Sequence, residues 1–377
     1  MCWRRQPSAS TNCCSWARPF KNNLSGKCLI IRTRTALPKT SRNGHGRPLP
    51  AEHDLALSAL EAGILRAVSY ADIFDFPLKA GEIHLKLVGL ATAKDAVRSA
   101  LHNSRSLARH LTYHQGYYVL AGREENVATR HGRFHASAAL WARARLYGQR
   151  LARLPFVRLV AVTGALAVNN ARPGDDIDYL IVTAPGRLWL CRALTILLVK
   201  RAARRGDLIC PNYFLTTAAL ALPEHDLFTA HELLQMVPLF GFDVYKKMLA
   251  LNPWASGFLP NAYLAQITRK YLLHGDQAIK RVQEKALNTP PGDWLEQWEM
   301  KRKIAKFSRQ MATLSTAAGD QNREPQLVEL FFSAERCKGH FDQHGRQTLA
   351  AYTKLLGDLG HPADLPGSTT LAPGKEM

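Results

Sequence analysis

The stretch from Val160 to Val182 sets the tightest limit on how this chain folds. Val160-Ala161-Val162 ends a β-branched run, Thr163-Gly164 bounds it, and a short helical run leads to the Pro173-Gly174 turn. Asp176-Ile177-Asp178-Tyr179 then opens a second apolar run, Leu180-Ile181-Val182. Strand side chains alternate between faces, so this spacing puts Asp176 and Asp178 on one side of the second strand. Two carboxylates side by side repel unless a cation lies between them. Hard divalent ions such as Mg²⁺ suit these oxygens, with substrate phosphates completing the shell. Gly164 permits close backbone approach, and the N–H groups that open the following helix can hold a phosphate.

The surrounding sequence alternates strand and helix: Val157–Val162, then Ile177–Val182, then a helix from Arg187 to about Arg204, then Leu208–Leu215. That order predicts a small α/β unit. A long basic helix over 126–153 leads into it.

Residues 55–122 read as a separate unit. Leu55, Leu57, Leu60, Ile64, Leu65 and Val68 recur near helical spacing, a turn falls at Phe76-Pro77, and a second helix covers about Ala80–Leu87. Thr92 begins a third helix with Asp95 in an approximate capping box. His110–Tyr113 and Tyr117–Leu120 flank His114-Gln115-Gly116, a three-residue hairpin connection. Three helices and a hairpin resemble a winged-helix domain. Lys94, Arg98, His102 and Arg105 share one face of the third helix. On a winged helix that face can enter the major groove of DNA; equally, the four can solvate an exposed helix.

From Pro223 the chain is mostly helical. Pro290-Pro291-Gly292 reads as a linker, and Asp293–Met311 as a basic helix whose buried stripe is Trp294, Trp298, Ile304, Phe307 and Met311. Cys337, His340 and His344 have the spacing to share a helix face near Asp342. A zinc site needs a further partner, and a structural or surface role is the favoured alternative.

The chain has 377 residues, enough for two or three packed units. Its 46 % hydrophobic and 21 % charged content fits a globular protein, and no apolar run reaches the roughly 20 residues that cross a bilayer. No membrane partner is therefore expected. The formal net charge is +20, and residues 1–50 hold ten Lys or Arg and no acid. This leader reads as an organelle transit peptide, a basic disordered arm, or the product of a start codon placed too early. The rest carries 40 basic and 30 acidic groups, a balance that favours an anionic partner such as a nucleotide or nucleic acid. Four of the seven cysteines lie in the leader and none forms a CxxC pair, so a reducing, cytoplasmic setting is expected.

Strand, glycine, short helix, Asp-x-Asp and strand, in that order, resemble the DNA polymerase β-like nucleotidyltransferase superfamily. The signature there is hydrophobic–Gly–(Gly/Ser), a spacer, then Asp–hydrophobic–(Asp/Glu)–hydrophobic, matched by Thr163-Gly164-Ala165 and Asp176-Ile177-Asp178-Tyr179. The likeness covers about 158–215. The unit in front and the Leu227–Phe240 stretch look like an uncharacterised bacterial branch with an N-terminal winged helix. The resemblance implies an α/β core with a small mixed sheet, an N-terminal winged helix and an α-helical C-terminal region. Its boundaries fall at 1–50 (leader), 51–125 (winged helix), 126–155 (connecting helix), 156–222 (core), 223–289 (helical extension), 290–362 (C-terminal helices) and 363–377 (tail).

The same resemblance implies two Mg²⁺ ions on Asp176 and Asp178. The NTP would be held at Gly164, Ala165, Asn169 and Asn170, and its nucleotidyl group passed to an acceptor: a small molecule, a protein or a nucleic acid. Arg172 and Arg187 would flank the acidic pair near the phosphates or serve as ordinary loop and helix-start residues. Two features depart from the pattern. Ala165 replaces the small hydroxyl that often follows the glycine, and the third strand offers only the neutral Asn212 where active members carry a third carboxylate. Asp207, Glu224, Asp226 and Glu232 are the available substitutes. The alternative is a catalytically silent nucleic-acid-binding or regulatory protein that acts through the winged helix.

Overall fold

Along two neighbouring strands, alternate side chains enter two different cores. Val160, Val162, Tyr179 and Ile181 join one buried cluster, and Leu159, Ala161, Leu180 and Val182 join another. A sheet apolar on both faces must be covered on both, and helices cover it here. The computed structural model of the protein describes residues 56–265, 272–273, 277–317, 332–338 and 344–361. The expectations for the leader and the tail lie outside them, as does His340.

The fold is mixed α/β with many helices. Its five-stranded sheet runs in the order β6-β3-β4-β5-β7, formed by β3 (Val157–Val162), β4 (Ile177–Thr183), β5 (Ile209–Thr216), β6 (Val237–Phe240) and β7 (Arg336–Lys338). β3 pairs antiparallel with β4 and β6, and β5 antiparallel with β7. The β4–β5 pair is parallel, joined by a crossover through α7 (Leu188–Ala203). Helix α5 (Asn126–Ala152) and α7 lie over the first face. On the second lie α8 (Leu227–Gln235), α9 (Phe242–Ala250), α10 (Ala255–Phe258) and α14 (His344–Asp358). Two further helices, α11 (Pro260–Ala265) and α12 (Gln277–Leu287), precede α13 (Pro290–Ala317).

Ahead of α5 come α1 (Ala59–Asp72), α2 (Ala80–Leu85), α3 (Lys94–Asn103), α4 (Arg105–Ala108) and the hairpin β1 (Leu111–His114) and β2 (Tyr117–Leu120), around their own core. Ser58 caps α1 in a full capping box with Glu61. The third helix differs from expectation: it begins at Lys94 behind Ala93, which has no capping side chain, so Thr92 is not its cap. It stops where Ser104 turns extended, leaving Arg105 to open α4. His114 is the last residue of β1, and the hairpin turn is the two residues Gln115 and Gly116, both at positive φ, which suits the strand twist. The N-terminal unit is tied down by Arg133, which donates to Phe74 O at 2.7 Å and to Asp75 Oδ2 at 3.0 Å.

Three C-terminal expectations are corrected. Pro290 starts α13 rather than a linker, since its fixed φ suits a first helical turn. On α13, Phe307 is buried but Trp294 and Trp298 are 65 % and 47 % exposed. The inward face is set instead by Glu296, whose carboxylate accepts from the backbone N–H of Trp189 (2.9 Å) and Leu190 (2.7 Å) at the start of α7. Cys337 is buried on β7 while His344 opens α14, so these two do not share a helix face.

Candidate functional site

The site forms where β3 ends and β4 and β5 begin. After Val162 the chain turns at Gly164 (φ +64°) into the short helix α6 (Gly164–Ala167), and the Thr163 N–H donates to Asp178 O at 3.1 Å. An L side chain rarely adopts this φ. A methyl on Gly164 would also lie 2.6 Å from Asp178 Oδ2, so glycine is what lets the carboxylate stand against the backbone.

Asp176 and Asp178 come together as the spacing requires, and Cys210 joins them. Ligand atoms of the three lie within 4.8 Å of one another, a group among the described residues with the geometry to hold a metal ion. Cys210 stands opposite Asp178 in the parallel register, and the register slips one residue further on, between Tyr179 and Leu180. That slip takes up Asn212, whose Nδ2 donates to Asp178 Oδ1 at 3.1 Å. The residue standing where a third carboxylate was sought is therefore a neutral donor, with a thiol beside it. Sequence reasoning passed over Cys210; the usable signal was its period-two spacing from Asn212 on one strand.

Of the four substitute carboxylates, only Glu232 reaches the glycine turn. Asp207 accepts from Tyr147 Oη (2.6 Å), Glu224 pairs with Lys338 (3.1 Å), and Asp226 caps α8 through Thr229 N (2.7 Å). Glu232, on α8, accepts a hydrogen bond from the Gly164 amide. Burial raises its pKa, offset in part by the Lys338 charge, the Gly164 N–H and His344.

Asn169 and Asn170 make hydrogen bonds into the fold. Asn169 Oδ1 accepts from Trp141 Nε1 (2.7 Å), while Asn170 accepts from Arg133 (3.2 Å) and donates to Phe74 O (3.0 Å). Ala165 O accepts from the Asn170 N–H at 2.8 Å. Arg172 lies 3.8 Å from Asp75. Arg187 follows the far end of β4, where it pairs with Asp293 (2.5 Å) and Asn288 (2.8 Å), so it does not flank the acidic pair. Thr163 Oγ1, one residue before the glycine and missed by the sequence reading, is buried without a hydrogen-bond partner. Lys94, Arg98 and His102 are exposed along α3, and Arg105 is exposed at the start of α4. No protein-family model, no curated protein and no solved structure matches this chain.

Proposed function

We propose that the protein is a divalent-cation-dependent nucleotidyltransferase, with Mg²⁺ on Asp176 and Asp178. The observation that carries the reading is the convergence of these two carboxylates beside the Gly164 turn. The carboxylate pair and the unpartnered Thr163 hydroxyl fit a cation and an anionic ligand. The Cys210 thiol is the softer donor and would extend the tolerated ions toward Mn²⁺ or Zn²⁺. When bound, the ions would neutralise charge on a triphosphate. The Gly164 amide would then turn from Glu232 to a phosphate oxygen, and Thr163 Oγ1 would donate beside it. An acceptor hydroxyl attacks the α-phosphorus, the bond to the β-phosphate oxygen breaks, pyrophosphate leaves, and Glu232 takes the hydroxyl proton. The raised pKa of Glu232 suits that role.

The N-terminal unit is read as a winged helix, and the acceptor as a small molecule, protein or nucleic acid. Among the described residues Cys191, Cys210 and Cys337 form no disulfide, which suits a cytoplasmic setting. Among the described residues no helix is long and apolar enough to cross a membrane.

A second reading has its own support: Glu232 already satisfies the Gly164 amide and Asn212 is neutral, as in a silent core whose winged helix binds nucleic acid through Lys94, Arg98, His102 and Arg105. One experiment separates them. Full-length protein is incubated with Mg²⁺ or Mn²⁺, each labelled NTP and a cell lysate. Label transfer that Asp178→Ala abolishes supports the enzyme. Absence of transfer, together with salt-sensitive DNA binding lost in Arg98→Ala, supports the regulator.

A further inference from the structure

We propose that the outer face of α13 binds single-stranded nucleic acid, stacking bases on Trp294 and Trp298 and holding phosphates with Lys301, Arg302 and Arg309. At 100° per residue these five side chains fall within a sector of about 100°, one face of the helix. The two indoles stack on each other, with centroids 6.3 Å apart and planes 17° apart, and the Arg302 guanidinium lies 4.8 Å over the Trp298 ring. Two large exposed rings side by side are an unusual surface for a helix whose other face is already engaged.

Charge decides what the face takes. Every acid of α13 lies outside that sector: Asp293 pairs with Arg187, Glu296 with the start of α7, and Glu299, 4 % exposed, with Lys303 and with Arg302 of the face itself, so the net positive charge of the face comes from Lys301 and Arg309. The outer face is thus aromatic and cationic, with no acid in its sector. A second copy meeting it about a twofold axis would set Lys301, Arg302 and Arg309 against themselves. An anionic membrane would match the charge, but interfacial helices sink a continuous apolar face, and between Trp294 and Arg309 this sector adds only Ala305 to the two indoles. Flat rings interleaved with cations match bases and phosphates, and stacking of this kind tolerates any base.

The site is separate from the carboxylate pair, so it stands or falls independently of the transferase reading. The test titrates full-length protein into fluorescently labelled oligo-uridine RNA and follows anisotropy. Trp294→Ala/Trp298→Ala is expected to weaken binding about tenfold or more, and Trp294→Phe/Trp298→Phe to keep most of it. Lys301→Glu/Arg302→Glu, which keeps both rings, should weaken binding and flatten its salt dependence. Asp178→Ala should leave binding unchanged. Binding unaltered by both the alanine pair and the charge reversal overturns the proposal. So does tighter binding to phosphatidylglycerol vesicles than to RNA, or a concentration-dependent dimer that the alanine pair dissolves. If the alanine pair lowers the melting temperature, the charge-reversed variant alone decides.

Discussion

Asn212 donates from Nδ2 to Asp178 Oδ1 across 3.1 Å, so an amide occupies the ground where a third carboxylate would complete a cation site. Asn212→Asp exchanges that donor for a second negative charge. Without divalent ions the variant loses a charge-assisted hydrogen bond and gains a repulsion, at a cost of about 1–3 kcal/mol. With Mg²⁺ or Mn²⁺ the carboxylates share a cation and the cost is recovered through binding to the folded state. Thermal melts with and without the ion should show a larger gain in melting temperature for Asn212→Asp than for the wild type. Equal gains would mean that a carboxylate at position 212 adds nothing to cation binding, and no gain in either protein would mean that no cation binds against Asp178.

Gly164 carries two separable constraints, a left-handed φ of +64° and a Cβ position 2.6 Å from Asp178 Oδ2. Gly174 carries only the first: its φ is +86°, and a Cβ there would meet nothing within 4 Å. Gly174→Ala should therefore cost only the backbone term, about 1–2 kcal/mol. Gly164→Ala should cost more, and should also displace the Asp178 carboxylate and abolish cation-dependent stabilisation. Urea unfolding of the two variants isolates the difference. If they match in stability and in response to Mn²⁺, the close approach of Asp178 to Gly164 has no consequence.

His231 is buried in a stack on Tyr70, with ring centroids 4.1 Å apart, and Gln235 Nε2 lies 2.5 Å from its Nδ1. Burial, and then the Lys86 charge, hold its pKa well below the ordinary histidine value. The unfolded chain takes up this proton near pH 6.5 and the folded chain does not, so stability is full above that pH and declines as pH falls below it. The slope attributable to His231 is up to about 1.4 kcal/mol per pH unit. His231→Phe keeps an aromatic partner for Tyr70 and removes the titration, so its stability profile should be flatter below pH 6.5. Parallel profiles would assign the acid sensitivity to other groups.

What the sequence disclosed was local. Short β-branched and apolar runs placed β3 and β4, and the i, i+2 spacing of Asp176, just before β4, and Asp178, within it, matches their meeting in one cluster. The spacing of Cys210 from Asn212 could mark it as sharing a strand face, but not its place opposite Asp178, which depends on a parallel register set across the whole of α7. Glu232 was one of four equal candidates until α8 was laid against the sheet. The α13 stripe was misjudged because at 100° per residue Trp294 and Trp298 stand nearly opposite Phe307, so the five residues cannot form one face, and the side that turns inward carries a polar residue, Glu296, beside Phe307.

Glu296 is where that rotation can be tested. Helix α7 starts after Arg187 with no side-chain cap of its own, and both Glu296 oxygens take up N–H groups of its first turn that have no partner within the helix, at Trp189 and Leu190. A buried carboxylate meeting a helix N-terminus gains from two N–H donors and from the positive end of the dipole. Glu296→Gln preserves the shape but turns an NH₂ toward one of those N–H groups, leaving a buried donor unmet. Its expected cost is about 1–3 kcal/mol, read as a lower urea midpoint at unchanged slope. Because the same contact orients α13, the variant should also change acrylamide quenching of Trp294 and Trp298, compared with a Trp294→Phe/Trp298→Phe background that carries the same substitution. A stable Glu296→Gln protein with unchanged quenching would show that apolar contacts around Phe307 alone fix how α13 lies on α7.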